Sequence, residues 1–176
     1  MKKLISIFAI VLFFAGCSLS TYSVKIPVAK LQKGMEKKFP IKRKLAIGTL
    51  DLAQPKVILN EKTKRVITKM SFGYKMPLFS TQTGIISVSG IPKYRANKSA
   101  FYLTKPNIEE LKFNNNSMGN MLSKNTKGLF SKIVEEVFDK YPIYKIKDGS
   151  TKNKLLKNTI KSINVKHDVL ELNLGI

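Results

Sequence analysis

The sequence has little of what enzymes and metalloproteins use. It contains one cysteine, Cys17, one histidine, His167, no tryptophan, and 11 acidic residues against 32 basic ones. A lone cysteine has no disulfide partner in the chain, and one histidine with one cysteine cannot form a zinc site of ordinary composition. His167 and Asp168 are neighbours in a predicted turn, which does not suit a Ser-His-Asp triad. We therefore predict a protein that is not an enzyme and that holds no metal or cofactor.

The N-terminus has the pattern of a secretory signal peptide. Lys2 and Lys3 precede the uncharged apolar run Leu4–Phe14. This run is shorter than the about 20 residues that a membrane-spanning helix needs, but it suits a signal peptide. The small residues Ala15 and Gly16 then come directly before Cys17.

The stretch FAGC resembles the lipobox of bacterial lipoproteins, although Phe14 stands where that pattern prefers leucine. The resemblance implies that Cys17 is lipidated and becomes the first residue of the mature chain. Several acyl chains anchor a protein stably, whereas one binds only marginally. The alternative is an ordinary signal peptide with an incidental cysteine.

The predicted organisation is a signal peptide over 1–16, a lipidated tether over 17–21 and a single domain over 22–176. No aspartate follows Cys17. By analogy with lipoprotein sorting in Gram-negative bacteria, its absence favours an anchor in the outer membrane, with the domain facing the periplasm. The partner expected first is therefore the membrane, contacted through the N-terminal lipid.

The net charge is +21, and removal of a signal with two lysines would leave +19. Such a charge often indicates nucleic acid, but export argues against that partner. An anionic membrane surface or lipid headgroup fits better, since each nearby Lys or Arg contributes about 1 kcal/mol. The alternative is a solvated basic surface, because the lysines are spread along the whole chain.

Residue periodicity predicts a domain rich in strands. YSVKIP (22–27) is typical of a short strand, and apolar residues at helical spacing follow it up to Pro40. Strands are predicted over 45–52 and 56–59. Three longer strands with tight turns are predicted near 64–78, 81–95 and 100–113. A long amphipathic helix is predicted over 118–139, a short helix near 150–159, and a C-terminal hairpin that turns at 166–168.

This order predicts an α+β fold in which a long amphipathic helix packs against a highly curved antiparallel sheet. Strand side chains alternate between the two faces of a sheet, so one face of the sheet would be apolar and would point towards the helix. The candidate apolar ligand-lining residues are Met70, Phe72, Tyr74, Met76, Leu78, Ile86, Val88, Met121, Leu122, Ile133 and Val137. The same residues would equally form a plain packed core.

The chain resembles the YceB-like envelope lipoprotein family in its FAGC stretch, the YSVKIP entry to a helix, the three long strands over 64–113, the helix over 118–139 and YPIYKIKDG (141–149). The resemblance implies a tubular lipid-binding-like fold and a lipid or other long apolar ligand, such as a phospholipid, between helix and sheet. It carries over no catalytic residue. The alternative function is a non-catalytic envelope adaptor whose basic surface binds a protein or an anionic membrane.

Overall fold

The structure is a computed structural model, and it describes residues 22–45, 48–78, 80–114, 128, 130–147 and 151–175. Antiparallel strands dominate it. The strands are β1 (Tyr22–Pro27), β2 (Ile41–Leu45), β3 (Gly48–Asn60), β4 (Arg65–Lys75), β5 (Gln82–Arg95), β6 (Ala100–Phe113), β7 (Tyr144–Lys145), β8 (Ile160–Val165) and β9 (Val169–Leu174).

Strands β2 to β7 form one six-stranded sheet in sequence order, so each strand pairs with the one that follows it along the chain. In β4 every second residue is buried, which places one face of the strand in the core and the other towards water. This alternation is what antiparallel sheets with one solvated face require. A bulge between Ala53 and Lys56 interrupts the β3–β4 ladder, and further register shifts interrupt β5–β6.

The second sheet has three strands in the order β1-β9-β8. Strand β9 lies at its centre and pairs antiparallel with β1 from Tyr22↔Leu174 to Pro27↔Val169. The first and last described strands are therefore neighbours.

Three α-helices are described. Helix α1 is Val28–Glu36, helix α2 is described over 130–140, and helix α3 is Thr151–Thr159. One hydrophobic core holds residues from both sheets and from all three helices, for example Leu31, Phe130, Leu156 and Leu170. Among the described residues, no helix is both long enough and apolar enough to cross a membrane.

The predicted fold class is wrong. The structure is 59% strand and 22% helix, its helices are short, and no long amphipathic helix packs on a sheet in the part that the structure describes. Of the predicted helix over 118–139, residues 118–127 and 129 lie outside the described residues. The physical reason is that a second sheet shares the core: Leu170, Leu172 and Leu174 of β9 are buried in it together with residues of the short helix α2.

The positions of most individual strands and helices were predicted more accurately than the fold class. Strand β1, the three long strands, the short helix and the C-terminal hairpin lie close to their predicted positions. The predicted break near Gln54 and Pro55 is a bulge within one continuous strand, β3, and Gln54 has a φ of 50° there. Helix α1 ends at Glu36, before Pro40, and strand β2 follows where no strand was predicted.

Candidate functional site

The apolar residues predicted to line a ligand cavity lie mostly in the packed core. Seven of the eleven are buried there: Met70, Phe72, Tyr74, Ile86, Val88, Ile133 and Val137. Met76 packs partly buried against the same core. Met121 and Leu122 lie outside the described residues.

The prediction that Leu78 lines an interior cavity is wrong, because its side chain is 103% exposed. Strand β4 ends at Lys75, three residues before Leu78. The alternation of buried and exposed side chains therefore does not reach Leu78. Leu78 instead has a φ of 65° in the connection to β5.

The buried aromatic rings on the core side of the sheet contact one another. The Phe72 ring lies 5.2 Å from that of Phe113 and 5.3 Å from that of Phe130, both edge to face. Such pairs contribute about 0.5–1.5 kcal/mol beyond the area they bury. These aromatic residues are part of the packed core. The concave surface found among the described residues lies elsewhere on the protein.

A groove of about 690 Å³ lies between helix α1 and the segment 142–147. Six lysines supply most of its described lining, and no acidic residue that the structure describes is part of it. The lining residues are Lys30, Lys33, Gly34, Lys37, Lys38, Pro142, Tyr144, Lys145, Ile146 and Lys147. We call this feature the lysine groove.

Helix α1 forms the first wall of the lysine groove because its two faces differ. Leu31 and Met35 are buried in the core. Lys30, Lys33 and Lys37 follow one another at spacings of three and four, so they share a face of the helix that turns away from the core. All three are exposed.

Gln32 fixes helix α1 to the bulge of β3. Its side-chain nitrogen donates to the Pro55 carbonyl at 2.6 Å, and its oxygen accepts the backbone N–H of Val57 at 2.8 Å. The bulge between Ala53 and Lys56 interrupts the ladder at this point. The amide therefore satisfies backbone groups beside the bulge, and it sets the orientation of the helix.

Gly34 allows the two walls to approach closely. A Cβ built on Gly34 would lie 2.7 Å from the backbone carbonyl oxygen of Ile143. Real Cβ atoms almost never come so near a backbone oxygen. Only glycine fits here without a shift of the helix or of the facing segment.

The second wall, residues 142–147, is held against the start of β6. The N–H of Ile143 donates to the Phe101 carbonyl at 2.8 Å, and the N–H of Ile146 donates to Ser99 at 2.9 Å. Ile143 and Ile146 are buried. Lys145 and Lys147, by contrast, are exposed and extend the basic lining across from helix α1.

The charges of the lysine groove are poorly balanced. Among the described residues, no carboxylate pairs with Lys30, Lys33, Lys37, Lys38 or Lys145. Glu36, the acidic residue of α1, instead accepts a hydrogen bond from Gln32 at 2.8 Å. Like charges repel within a Debye length of about 8 Å at physiological salt, so a bound anion would relieve this repulsion.

The helix dipole accounts for only part of this pattern. Cations near a helix C-terminus are favourable, which suits Lys33, Lys37 and Lys38. Lys30 lies in the first turn, where a cation is unfavourable and where α1 has no acidic residue. Lys145 lies on another segment. The groove therefore has more positive charge than the stability of helix α1 explains.

The chemistry that such a groove favours is the binding of phosphate or carboxylate groups. A lysine ammonium binds phosphate as a flexible point charge with three donors. Six of them around an open groove suit a ligand whose negative charge is spread over several oxygens. Pro142 and Tyr144 add less polar side chains to the lining.

A second polar cluster crosses β4, β5 and β6. Arg65 donates from Nε to the Ser89 hydroxyl at 2.8 Å, and that hydroxyl donates to Glu109 at 2.5 Å. Asn107 also donates to Glu109, at 3.1 Å. The hydrogen bonds from Ser89 and Asn107 hold the pKa of the Glu109 carboxyl below its usual value of 4.5. The cluster lies where the β5–β6 register shifts, so we interpret it as a device that holds this irregular pairing together.

His167 and Asp168 lie exposed in the turn before β9, with 3.7 Å between His167 Nε2 and Asp168 Oδ1. The Asp168 carbonyl accepts the N–H of Val28 at 2.8 Å and so supports the start of helix α1. Among the residues that the structure describes, no group of His, Cys, Asp and Glu could hold a metal ion.

The sequence predicted the apolar face of helix α1, but it did not predict the lysines as the lining of a groove. Their spacing could have indicated one basic helix face. The sequence could not have placed Lys145 and Lys147 beside that helix face, because only the pairing of β7 with β6 brings them next to α1.

Fold and site together define a mainly antiparallel β protein with a lysine-lined surface groove. The chain belongs to the family described as protein of unknown function (DUF1439), which matches residues 28–168. That range includes every residue that lines the lysine groove. No curated protein matches the chain.

Proposed function

We propose that this protein is a non-catalytic lipoprotein of the bacterial envelope that binds the headgroups of anionic membrane lipids in its lysine groove. Cys17 would carry the lipid anchor in the outer membrane, and the domain would face the periplasm. In this proposal the groove recognises phosphate oxygens through several ammonium groups.

The observation that carries the proposal is the convergence of six lysines from two chain segments on one groove of about 690 Å³. Each lysine near an anionic surface contributes about 1 kcal/mol of attraction. The combined attraction of six lysines is therefore large compared with thermal energy, even after screening by salt. The net charge of +21 would also draw the domain towards an anionic surface.

The N-terminal pattern supports the envelope part of the proposal. Lys2, Lys3, the apolar run and the Ala15-Gly16-Cys17 stretch suit export followed by lipidation at Cys17. The resemblance to YceB-like envelope lipoproteins points to the same compartment. A lipid-anchored domain meets headgroups at high local concentration, so even modest affinity in the groove would suffice.

Carriage of a phospholipid or another long apolar ligand in the interior, and docking of an envelope protein on the basic surface, stay predictions. The lysine groove favours headgroup binding over both. Its lining is largely charged, and it includes none of the nine candidate apolar residues that the structure describes. We therefore base the proposed function on the groove and not on the core.

The test measures binding of short-chain phosphatidylglycerol, which is soluble and anionic, by calorimetry or chemical-shift titration. We expect saturable binding to the full chain, and much weaker binding of short-chain phosphatidylcholine, whose headgroup has no net charge. Charge reversal of Lys33→Glu with Lys37→Glu should abolish the phosphatidylglycerol signal because these residues share the groove face of α1.

The matched control is Lys62→Glu with Lys64→Glu. These lysines lie exposed near the β3–β4 turn, outside the groove, and their reversal changes the net charge by the same amount. If the control pair weakens binding as much as the groove pair, the attraction is general and the groove proposal fails. If neither lipid binds, the proposal also fails.

A further inference from the structure

The connection between β4 and β5 exposes apolar side chains at the end of a long hairpin. Strand β4 ends at Lys75 and β5 begins at Gln82. We call Met76, Pro77 and Leu78 the hairpin tip. Pro77 is exposed, and the Leu78 side chain is 103% exposed, more than any other large apolar side chain among the described residues.

Neither packing nor backbone preference accounts for leucine at position 78. Its side chain buries no area against the rest of the described chain, so the hydrophobic effect gives the folded domain nothing from it. Its φ of 65° lies in the left-handed region, where a glycine or asparagine would be less strained than leucine. Leucine at this position is unfavourable in the isolated domain. It would be favourable against an apolar surface that belongs to a binding partner.

Two lysines lie beside the hairpin tip, Lys44 on β2 and Lys75 on β4. Lys44 pairs with Thr49, and Thr49 pairs with Lys75, so the three form one cross-strand row with their side chains on the same face of the sheet. Lys44 and Lys75 are exposed. Gly48, with a φ of 105°, lets the start of β3 lie directly against Lys75 and Met76.

We propose that the hairpin tip inserts into an anionic lipid bilayer, with Leu78 in the acyl region and Lys44 and Lys75 at the headgroups. Apolar side chains that project from a basic surface are the pattern of interfacial membrane binding. A protein partner fits less well. A stable protein interface buries about 800 Å² on each partner, which a three-residue tip does not offer, whereas a bilayer accepts a single side chain without shape complementarity.

The experiment places a polarity-sensitive fluorophore on a single cysteine in the full chain. Cys17→Ser removes the natural thiol, and Leu78→Cys provides the site. The matched control is Ile58→Cys, an apolar position on β3 that is 41% exposed. Vesicles of phosphatidylglycerol and phosphatidylethanolamine should shift the emission of the label at 78 to the blue and leave the label at 58 unchanged. Vesicles of phosphatidylcholine should give a smaller shift at 78.

Two results would overturn the proposal. One is a label at 78 that stays in water when vesicles are added, and the other is an equal shift at both positions. A second variant separates insertion from folding: Leu78→Gly should leave the midpoint of thermal unfolding unchanged or raise it. A lowered midpoint would assign Leu78 a structural role and contradict insertion. Because Leu78 lies outside the lysine groove, this test and the phosphatidylglycerol titration can fail independently.

Discussion

The side-chain oxygen of Gln32 accepts a hydrogen bond from the backbone N–H of Val57 at 2.8 Å, which joins helix α1 to the six-stranded sheet beside its bulge. The same amide donates to the Pro55 carbonyl at 2.6 Å. One side chain therefore satisfies a donor and an acceptor where the ladder is interrupted. The position of the lysine groove depends on this contact, because α1 is one of its walls.

Replacing Gln32 with alanine should destabilise the domain by roughly 1–3 kcal/mol, the cost of leaving partly buried backbone groups without partners. Gln32→Glu should recover little of this, because a carboxylate cannot donate to the Pro55 carbonyl. The measurement is the free energy of unfolding in urea. Glu36→Ala is the matched control, since it loses only an exposed hydrogen bond. Equal losses in Gln32→Ala and Glu36→Ala would contradict this role.

Gly34→Ala should destabilise the domain although alanine is the better helix former by about 1 kcal/mol. The added Cβ would meet the Ile143 carbonyl at 2.7 Å and force the walls of the groove apart. Overpacking of this kind costs roughly 1–3 kcal/mol. Binding of short-chain phosphatidylglycerol should weaken in parallel, because Lys145 would move away from α1.

Gly128→Ala is the matched control for Gly34→Ala. Among the described residues, nothing lies within 4 Å of a Cβ built on Gly128, and the residue is helical. This substitution should leave stability unchanged or raise it by up to about 1 kcal/mol. If the two alanine variants have the same free energy of unfolding, close approach at Gly34 is not what fixes the groove.

The strands could be predicted because their evidence is local. Alternation in β4 shows directly which face is buried, and the turn residues at 96–98 and 166–168 mark where the chain reverses. Helix α1 likewise follows from Leu31 and Met35. Each of these elements depends on neighbouring residues only, which periodicity captures.

The fold class could not be predicted because it depends on distant pairings. Nothing in the sequence of β1 indicates that it pairs with β9, so the three-stranded sheet that helps to close the core was missed. The lysine groove was missed for the same reason, since Lys30 and Lys145 become neighbours only in three dimensions.

The Glu109 carboxylate should contribute stability that depends on pH. Its pKa in the folded domain is held below the ordinary value of 4.5 by hydrogen bonds from Ser89 and Asn107. The ionised group therefore stabilises the fold above its unfolded-state pKa, and this contribution is lost as the pH falls through the lower folded-state pKa. At neutral pH the wild type should have a higher midpoint of unfolding than Glu109→Gln. This difference should disappear at acid pH. Glu136→Gln removes the same charge outside the network, and an identical pH profile for it would contradict the interpretation.

Thr68 is a buried polar residue whose replacement should not harm the fold. Its side chain is fully buried between Val57 and Val88 on the neighbouring strands, and its hydroxyl has no hydrogen-bond partner in the described part of the chain. Thr68→Val removes that hydroxyl at nearly constant volume, so it should leave the free energy of unfolding unchanged or raise it by about 1 kcal/mol. Thr104→Val should instead lower it by roughly 0.5–1.5 kcal/mol, because Thr104 donates to the Ile91 carbonyl at 3.1 Å. Destabilisation by Thr68→Val would show that the hydroxyl has a partner.

Binding in the lysine groove should weaken steeply with salt. The six lysines lie on an open surface, so their attraction for a headgroup is screened as the Debye length falls from about 10 Å at 0.1 M salt to about 3 Å at 1 M. Affinity for short-chain phosphatidylglycerol, measured by calorimetry across a salt series, should fall on a log–log plot with a slope set by the lysines that contact the ligand. Replacing Lys30 and Lys33 with glutamine should make that slope shallower, whereas the same change at Lys62 and Lys64 should not. A slope that is the same in both variants would mean that the phosphate is bound outside the groove.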